Sequence, residues 1–408
     1  MIEGGGIGDG PIEGVANIHV IDDKTREPIA GATVKVGTVE GVTDGDGLFI
    51  MEDVDGPQAI VVKATTFRSE MWIGANGSNM TFNLGPGSDP VAPRATLTGS
   101  IDLSSIQIPA GHLKIGVIGY SQTDDLGDPD NEIKTLDDRN VCNGGGMNNP
   151  MPCAFTIDVR GGRVALIAAI YDRNLNGTPT NFNDDTMTLI RWAYRSGITV
   201  TPGVAQSAQD LTLIDVGMMN NVTVDFGSPP SGLQTVGGLV GIDIGNDGVF
   251  QLPVFATPTA ATLLVPKLSQ FSGAAFRLTA IATNGTDPAT TESVVLRRGL
   301  STTTLAAGAW LTPPPSPTVS RTMVSWATVT GATVQSVEFT QGTANLLNVT
   351  SFDGTTEVTI PDLVALPSGA ITAKVNAIGA DGLDVTNFSL DADRDKLDRV
   401  AAQTVTIN

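Results

Sequence analysis

Short alternating stretches of apolar and polar residues run through most of the chain. Segments such as "ANIHVID" and "HLKIGVIGYS" alternate with a period of two, and clusters of glycine, proline, asparagine and aspartate separate such segments. A period of two places successive side chains on opposite faces of a strand, whereas an amphipathic helix needs a period of about 3.6. The pattern predicts an all-β protein made of many short strands.

The composition strengthens this prediction and suggests several domains. The 408 residues include 47 glycines and 24 prolines, which leave little room for long helices. Valine, isoleucine and threonine, which favour strands, dominate the stretches between these breakers. A chain of this length exceeds what one small core requires, so we expect roughly three or four domains of about 100 to 150 residues.

Clusters of strand-breaking residues divide the chain into five segments. These are a flexible glycine-rich arm at 1–13, a first domain at 14–84, a second at 94–227, a third at 228–313 and a last domain at 315–408. The run "LTPPPSPTVS" before the last domain predicts a stiff, extended spacer that holds its neighbours apart. In the second domain, "RVALIAAIYD" is apolar on both faces and is predicted to lie centrally in its sandwich.

Two of these domains resemble known families. The segments "EPIAGATVKV", "TDGDGLF" and "VVKA" in the first domain resemble the carboxypeptidase regulatory-like domain, a small transthyretin-like β-sandwich of many exported bacterial proteins. The last domain resembles a fibronectin type III domain, with Trp326 at the family's core tryptophan position and Ile371 where a tyrosine is usual. The resemblances imply tandem Ig-like and transthyretin-like β-sandwich domains.

The stretch "VTDGDGLF" offers the residues of either a calcium loop or a tight turn. Alternate ligands from Asp44 and Asp46 would next fall on Leu48, which has no side-chain oxygen, and Phe49 would occupy the position where the loop needs glycine. We therefore interpret the stretch as a hairpin turn in which Gly47 supplies a positive φ.

The strongest metal candidate is "DRNLNGTPTNFNDD" in the second domain. The candidate calcium ligands are Asp172, Asn174, Asn176, Thr178, Asp184 and Asp185. Alternate oxygen donors with glycine at the sixth position are the pattern of an EF-hand-type loop, because the glycine lets the backbone reverse around the cation. Asn183 stands where such a loop places its bidentate glutamate, so Asp184 or Asp185 would close the site. An asparagine-rich loop in water is the alternative.

Two further acidic stretches are weaker metal candidates. "DIGNDG" has Gly245 where a ligand oxygen is needed, which favours a hairpin turn. "LDADRDKLD" intersperses its four aspartates with Arg394, Lys396 and Arg399, as expected of a solvated loop of mixed charge.

The two cysteines bracket a segment with no periodicity. Cys142 and Cys153 flank "NGGGMNNPMP", and a disulfide between them would stabilise the fold by roughly 3 kcal/mol in an oxidising compartment. Two free thiols in the cytosol are the alternative.

The net charge and the hydropathy of the chain limit the classes of partner and the cellular location that we expect. The 43 acidic and 23 basic side chains give a net charge of −20, which repels phosphate backbones and anionic lipids. We therefore expect no nucleic-acid partner. No apolar run reaches the roughly 18 residues of a transmembrane helix, so we expect no membrane span. We expect a secreted or cell-surface protein from which the export signal has been removed.

The chain contains no recognisable catalytic motif. There is no G-x-S-x-G, H-E-x-x-H or P-loop sequence, and the two histidines, His19 and His112, fall in a strand and a loop. We expect no catalytic or cofactor-binding residues other than the possible calcium ligands. A non-enzymatic spacer, adhesin or filament subunit would bind other extracellular proteins, copies of itself or glycans, and the 1–13 arm could pair with a neighbour's edge strand. The alternative is a carbohydrate-binding or enzyme-accessory module that uses Trp72 or Trp192.

Overall fold

The chain folds into stacked β-sheets, as the alternating pattern predicts. The computed structural model describes residues 1–88, 93–122, 141–144, 152–177, 185–254, 260–286 and 289–407. The described secondary structure consists of strands and short 3₁₀ turns, which confirms the all-β class. The 3₁₀ turns are Val216–Met218, Gly245–Asp247, Leu268–Gln270, Asp362–Val364 and Arg394–Lys396.

The described strands fall into four modules in chain order. The first module contains β1 Gly6–Gly8, β2 Glu13–Asp22, β3 Thr33–Val36, β4 Val39–Val42, β5 Leu48–Asp55, β6 Gln58–Lys63, β7 Ser69–Ala75 and β8 Asn79–Leu84. The second contains β9 Arg94–Ile101, β10 His112–Tyr120, β11 Val141–Asn143, β12 Cys153–Arg160, β13 Gly162–Asn174, β14 Thr186–Val200 and β15 Thr212–Leu213. The third contains β16 Met219–Asp225, β17 Gln234–Asp243, β18 Val249–Val254, β19 Ala260–Pro266, β20 Ala275–Thr283, β21 Thr291–Leu300 and β22 Thr304–Ala306. The last contains β23 Thr318–Val319, β24 Met323–Ser325, β25 Val334–Gln341, β26 Ala344–Ser351, β27 Glu357–Thr359, β28 Ile371–Ala380, β29 Phe388–Ser389 and β30 Leu397–Ile407.

The glycine-rich arm is a strand of the fold and not the free segment that the sequence predicts. β1 lies between β8 of the first module and β29 of the last, and Ile7 is fully buried. Gly6 has φ +145°, and a Cβ there would overlap the carbonyl oxygen of Phe388. Gly6 is therefore required by the close approach of two backbones, whereas the sequence alone presents the glycines of the arm as a source of flexibility.

One continuous sheet of twelve strands joins three of the modules. Its order is β18-β17-β20-β21-β30-β28-β25-β26-β7-β6-β3-β4. β21 of the third module pairs with β30 of the last, and β26 of the last pairs in parallel with β7 of the first. The prediction that the proline run holds the third and last modules apart is therefore wrong, because main-chain hydrogen bonds join them directly.

Ion pairs cross the same junctions. Arg297 of β21 pairs with Asp398 of β30 at 2.7 Å, and Arg26 of the first module pairs with Asp391 at 3.4 Å. In the "LDADRDKLD" stretch, Asp393 also pairs with a lysine three residues on. The stretch has mixed charge, as predicted, but Asp398 lies in β30 with a side chain that is 15% exposed, so the stretch is not a solvated loop throughout and also links modules.

The second module is a sandwich whose central strand is buried on both faces. β13 lies in the middle of the sheet β11-β10-β13-β14-β15, as predicted for "RVALIAAIYD". One face, including Leu166 and Ile170, packs against the sheet formed by β9 and β12. The other face, including Ile167 and Ala169, packs with Trp192 into the core of the third module. The apolar pattern on both faces therefore reflects contact with two different neighbours.

The boundary between the second and third modules differs from the predicted position at 227/228. β16, which ends at Asp225, pairs with β19 and β22 of the third module. The turn "DIGNDG" joins the antiparallel strands β17 and β18, as predicted, and docks on the second module. The carboxylate of Asp247 accepts the N–H of Gly197 at 2.8 Å and pairs with Arg163.

Candidate functional site

The two described carboxylates of the predicted calcium loop pair with basic side chains, and Asn174 bonds to the backbone of the loop. Asp172 Oδ1 lies 2.7 Å from Nδ1 of His112, and Asp185 pairs with Arg173. Asn174 Oδ1 accepts the backbone N–H of Asn176 at 3.0 Å. The predicted ligands Thr178 and Asp184 lie outside the described residues.

The described residues include four of the six candidate calcium ligands. Both described carboxylates face a basic side chain, and a hard cation needs several oxygens converging on one point. Across the described ranges, no group of three or more histidine, cysteine, aspartate or glutamate side chains is placed to hold a metal. Calcium binding at this loop stays a prediction.

The two cysteines form a disulfide inside the second module. Cys142 in β11 and Cys153 at the start of β12 have Cα atoms 5.3 Å apart, and both side chains are buried in the module's core. β11 pairs with β10, and β12 pairs with β9, so the bond connects the two sheets of the sandwich.

The stretch "VTDGDGLF" forms a turn, but not the hairpin predicted from its sequence. Asp44 Oδ1 accepts the backbone N–H groups of Asp46 and Leu48 at 2.9 Å each, and Gly47 has φ +69°. The strands on either side do not pair with each other, because β4 pairs with β3 and β5 pairs with β2. The turn carries the chain from one sheet to the other, which turn chemistry alone does not reveal.

A cleft of about 270 Å³ lies between the first and last modules. Its floor is one face of the twelve-stranded sheet where β7, β26, β25 and β28 lie side by side. The opposite face of these strands packs into the core of the last module. The loop after β28 and the β8 side of the first module form the walls. The cleft therefore exists only because the two modules share a sheet.

Strand register places polar side chains in rows across the cleft floor. Glu70 of β7 lies opposite Asn348 of β26, which in turn lies opposite Glu338 of β25. In the next row on this face, Trp72 neighbours Thr350. Because side chains of adjacent strands at the same register point to the same face, these residues form one surface.

A hydrogen-bonded network fixes the polar floor. Arg68 Nε donates to Glu70 Oε1 at 2.8 Å, and Asn348 Nδ2 donates to Glu70 Oε2 at 2.8 Å. Asn376 Nδ2 donates to Glu338 Oε1 at 3.0 Å and lies 3.4 Å from Oγ of Ser336. The floor therefore holds its side chains in defined orientations before any ligand arrives.

The environment shifts the ionisation of the buried pair. Burial raises the pKa of Glu70 above its ordinary value, although the charge of Arg68 and the hydrogen bond from Asn348 oppose that shift. The negative charge of Glu70 raises the pKa of Arg68 in turn. Loss of hydration outweighs ion pairing at Glu70 because its side chain is only 5% exposed.

Aromatic side chains form the apolar wall of the cleft. Trp72 stacks on Phe82 with ring centroids 3.8 Å apart and meets Phe352 edge-on at 5.5 Å. The ring centroids of Phe352 and Phe388 lie 5.7 Å apart, and Phe388 belongs to β29, in the segment after β28 that forms part of the wall. The cleft thus combines an acidic floor with an aromatic wall.

The tryptophans named for sugar binding differ in their positions. Trp72 lines the cleft, although it is 5% exposed and also packs in the core of the first module. Trp192 is 1% exposed, and its Nε1 donates to the carbonyl of Leu264 at 2.9 Å. Trp326 is 6% exposed and packs in the core of the last module, where the fibronectin-type resemblance places it. Trp192 is therefore a core residue and offers no face to a ligand.

Sequence reasoning missed the cleft residues. Ser336, Glu338, Asn348, Thr350 and Asn376 alternate with buried apolar residues, so each reads as part of an ordinary solvated strand face. The available signal is the two asparagines on that face, since asparagine is depleted in strands. It does not reveal that another module covers the face.

The comparisons with known proteins find similarity to solved structures, including the three described here at 11% to 12% identity. No family model and no curated protein matches the chain. A DUF3823 family protein from Bacteroides uniformis is 12% identical, covers 46% of this chain and 99% of its own, and has a TM-score of 0.14. Two B repeat units of the collagen binding protein of Staphylococcus aureus are 11% identical, with coverage of 91% and 97% and a TM-score of 0.15. A Ca²⁺-stabilized ice-binding adhesin of an Antarctic bacterium is 11% identical, with coverage of 98% and 99% and a TM-score of 0.16. At such low TM-scores these likenesses carry no argument about function.

Proposed function

We propose that the chain is an exported, non-enzymatic surface protein that acts as a rigid spacer, adhesin or assembly subunit. The observation that carries this proposal is the twelve-stranded sheet that runs through the first, last and third modules. Modules joined by main-chain hydrogen bonds and ion pairs keep their relative positions, which is what a spacer or a binding platform requires. The resemblance of the first module to carboxypeptidase regulatory-like domains, and of the last to fibronectin type III domains, supports the same assignment.

Two observations concern the cellular location of the protein: its disulfide and its lack of a membrane-spanning helix among the described residues. Structural disulfides persist in oxidising compartments, so the bond between Cys142 and Cys153 supports export. Among the described residues, no helix is long and apolar enough to cross a membrane. Antibody labelling of intact cells of the source organism tests export. We expect label that added protease removes while a cytoplasmic marker survives, and label that appears only after lysis would refute export.

Rigidity is tested by removing the proline run. Replacing residues 312–317 with glycine and serine makes this connection flexible without touching the pairing of β21 with β30. We expect small-angle X-ray scattering to give an unchanged maximum dimension, because the strand pairing holds the modules. A larger maximum dimension and a broadened distance distribution would show that the prolines position the modules, and would refute the rigid sheet as the basis of function.

Assembly through the N-terminal arm requires exchange between copies, because the arm pairs within its own chain in the structure. The Cα partners Ile7 and Met80 allow a direct test. A variant carrying Ile7→Cys and Met80→Cys should form its new disulfide within one chain and migrate as a monomer on a non-reducing gel. A ladder of cross-linked species would demonstrate exchange, and an exclusively monomeric product would rule out this form of the filament proposal.

The carbohydrate-binding alternative now rests on Trp72, the one of its two named tryptophans that lines the cleft. Binding on a glycan array that is lost in Trp72→Ala and kept in Trp192→Phe would favour this alternative. Absence of binding in the folded wild-type protein would remove it.

A further inference from the structure

The cleft between the first and last modules carries more negative than positive charge. Its charged lining residues are Glu70, Glu338, Asp393 and Arg68. Arg68 lies 2.7 Å from Glu70, and Asp393 lies 2.8 Å from Lys396. Pairing therefore accounts for two of the carboxylates and leaves Glu338 without an ion pair of its own, although the charge of Arg68 also acts on it.

The surroundings of Glu338 leave room for a cationic partner. Its carboxylate accepts one hydrogen bond, from Asn376 at 3.0 Å. Lys374 lies directly across from it in β28, but the ammonium group of this lysine is 2.7 Å from Glu292 of the third module. No arginine or lysine of the described ranges forms an ion pair with Glu338. A carboxylate at a partly desolvated cleft floor attracts a cation more strongly than one in open water.

The same floor contains an unsatisfied acceptor. Asn348 donates its amide group to Glu70, which fixes the orientation of the side chain and leaves Oδ1 as an acceptor. That oxygen is buried and has no hydrogen-bond partner among the described residues. Leaving a buried acceptor unpaired costs about 1–3 kcal/mol, so a donor supplied by a ligand would offset a cost already present.

The wall of the cleft suits the apolar part of a ligand and can also favour a cation. Trp72, Phe352 and Phe388 line it, and the tryptophan and phenylalanine rings contact one another. An ammonium group within about 6 Å of such a ring gains a further attraction. A cavity of about 270 Å³ holds a single small organic molecule and not a polymer.

We propose that this cleft is a binding site for a small organic ammonium compound, with its cationic group at Glu338 and its apolar body against the aromatic wall. A neutral sugar could donate its hydroxyl groups to the same acceptors, but it carries no positive charge to balance Glu338. An organic anion would be repelled by the same charge. The site makes no use of the spacer role, so the two proposals stand or fall separately.

Isothermal titration with phenethylamine at neutral pH tests this proposal on the full-length protein. We expect a dissociation constant of about 1 mM or tighter, which is reasonable for a ligand of this size. The neutral analogue 2-phenylethanol and the anionic analogue 3-phenylpropionate should bind at least about tenfold more weakly, because each lacks the positive charge. Equal binding of either analogue, or no heat from phenethylamine at about 10 mM, would overturn the proposal.

Two glutamate variants locate the site. Glu338→Gln should weaken phenethylamine binding at least about tenfold. The matched control Glu357→Gln changes an exposed glutamate of β27 in the same module and should leave the affinity unchanged. Circular dichroism verifies folding of both. Unchanged affinity in folded Glu338→Gln would refute the site, and the analogue comparison on wild-type protein decides the case if that variant does not fold.

Discussion

Met71 offers a direct test of whether the first and last modules fold as one unit. It belongs to β7 of the first module, yet its side chain is 6% exposed and packs in the core of the last module with residues such as Val349 and Val375. Met71→Ala should therefore destabilise both modules together. In the sheet, Met71 is paired with Val61 of β6 on one side and with Val349 of β26 on the other.

The size of the effect follows from that packing. Truncation of a buried methionine to alanine costs about 2–5 kcal/mol, depending on how far the surroundings close the cavity. Here both flanking strands are held by main-chain hydrogen bonds, which limits collapse, so we expect about 3 kcal/mol. The matched control is Met187→Ala in β14, where the side chain is 50% exposed. That change should stay within about 0.5 kcal/mol.

Hydrogen exchange followed by mass spectrometry measures the result strand by strand. Peptides covering β6 and β7 report on the first module, and peptides covering β25, β26 and β28 report on the last. If the shared sheet makes one cooperative unit, Met71→Ala should reduce protection in both sets by the same free energy. Loss confined to the β6 and β7 peptides, or a loss below about 1 kcal/mol, would refute the reasoning.

Four further predictions address particular residues. Gly6→Ala should lower the free energy of unfolding by more than about 1 kcal/mol, because the new Cβ would overlap a backbone carbonyl and the φ of this residue is +145°. Thermal unfolding measures this effect against the control Gly45→Ala, where nothing lies within 4 Å of the new Cβ. Equal unfolding midpoints for the two variants would contradict the placement of β1 between β8 and β29. Replacing Cys153 with serine should cost roughly 3 kcal/mol in urea, because the disulfide closes a loop with a sequence separation of 11 residues; an unchanged midpoint would show that the bond does not stabilise the fold. The raised pKa of Glu70 means that the folded state holds the proton of this carboxyl group more tightly than the unfolded state does, so the contribution of Glu70 to stability falls as the pH rises above the ordinary value of 4.5. The stability of Glu70→Gln relative to wild type should therefore increase over that pH range. A stability difference between the two proteins that stays constant with pH in urea titrations would count against this prediction. If the loop binds calcium, millimolar calcium should raise the unfolding temperature, and Asp172→Asn should abolish that rise. An unfolding temperature that calcium leaves unchanged would count against the calcium site.

The sequence by itself determined the local properties of this protein. The period-two pattern identified its strands, and the unbroken apolar run of β13 indicated a strand buried on both faces. Trp326 was identified as a core residue, and "DIGNDG" was identified as a turn. These features depend on the alternation of side chains and on backbone geometry within a few residues, so they can be read without knowing what lies next to them.

Only the tertiary structure decided which elements meet. Any strand edge can pair with any other through backbone groups that are the same in every sequence, so the continuous sheet from β18 to β4 left no signature in the residues. The glycines of the 1–13 arm predicted flexibility, but their lack of side chains lets β1 fit between two strands. In the sequence, Glu338 and Asn348 have the pattern of a solvated strand face. In the structure, the first module covers that face. Whether a polar face meets water or forms the floor of a cleft depends on contacts between residues far apart in sequence, and these arise only when the chain is folded.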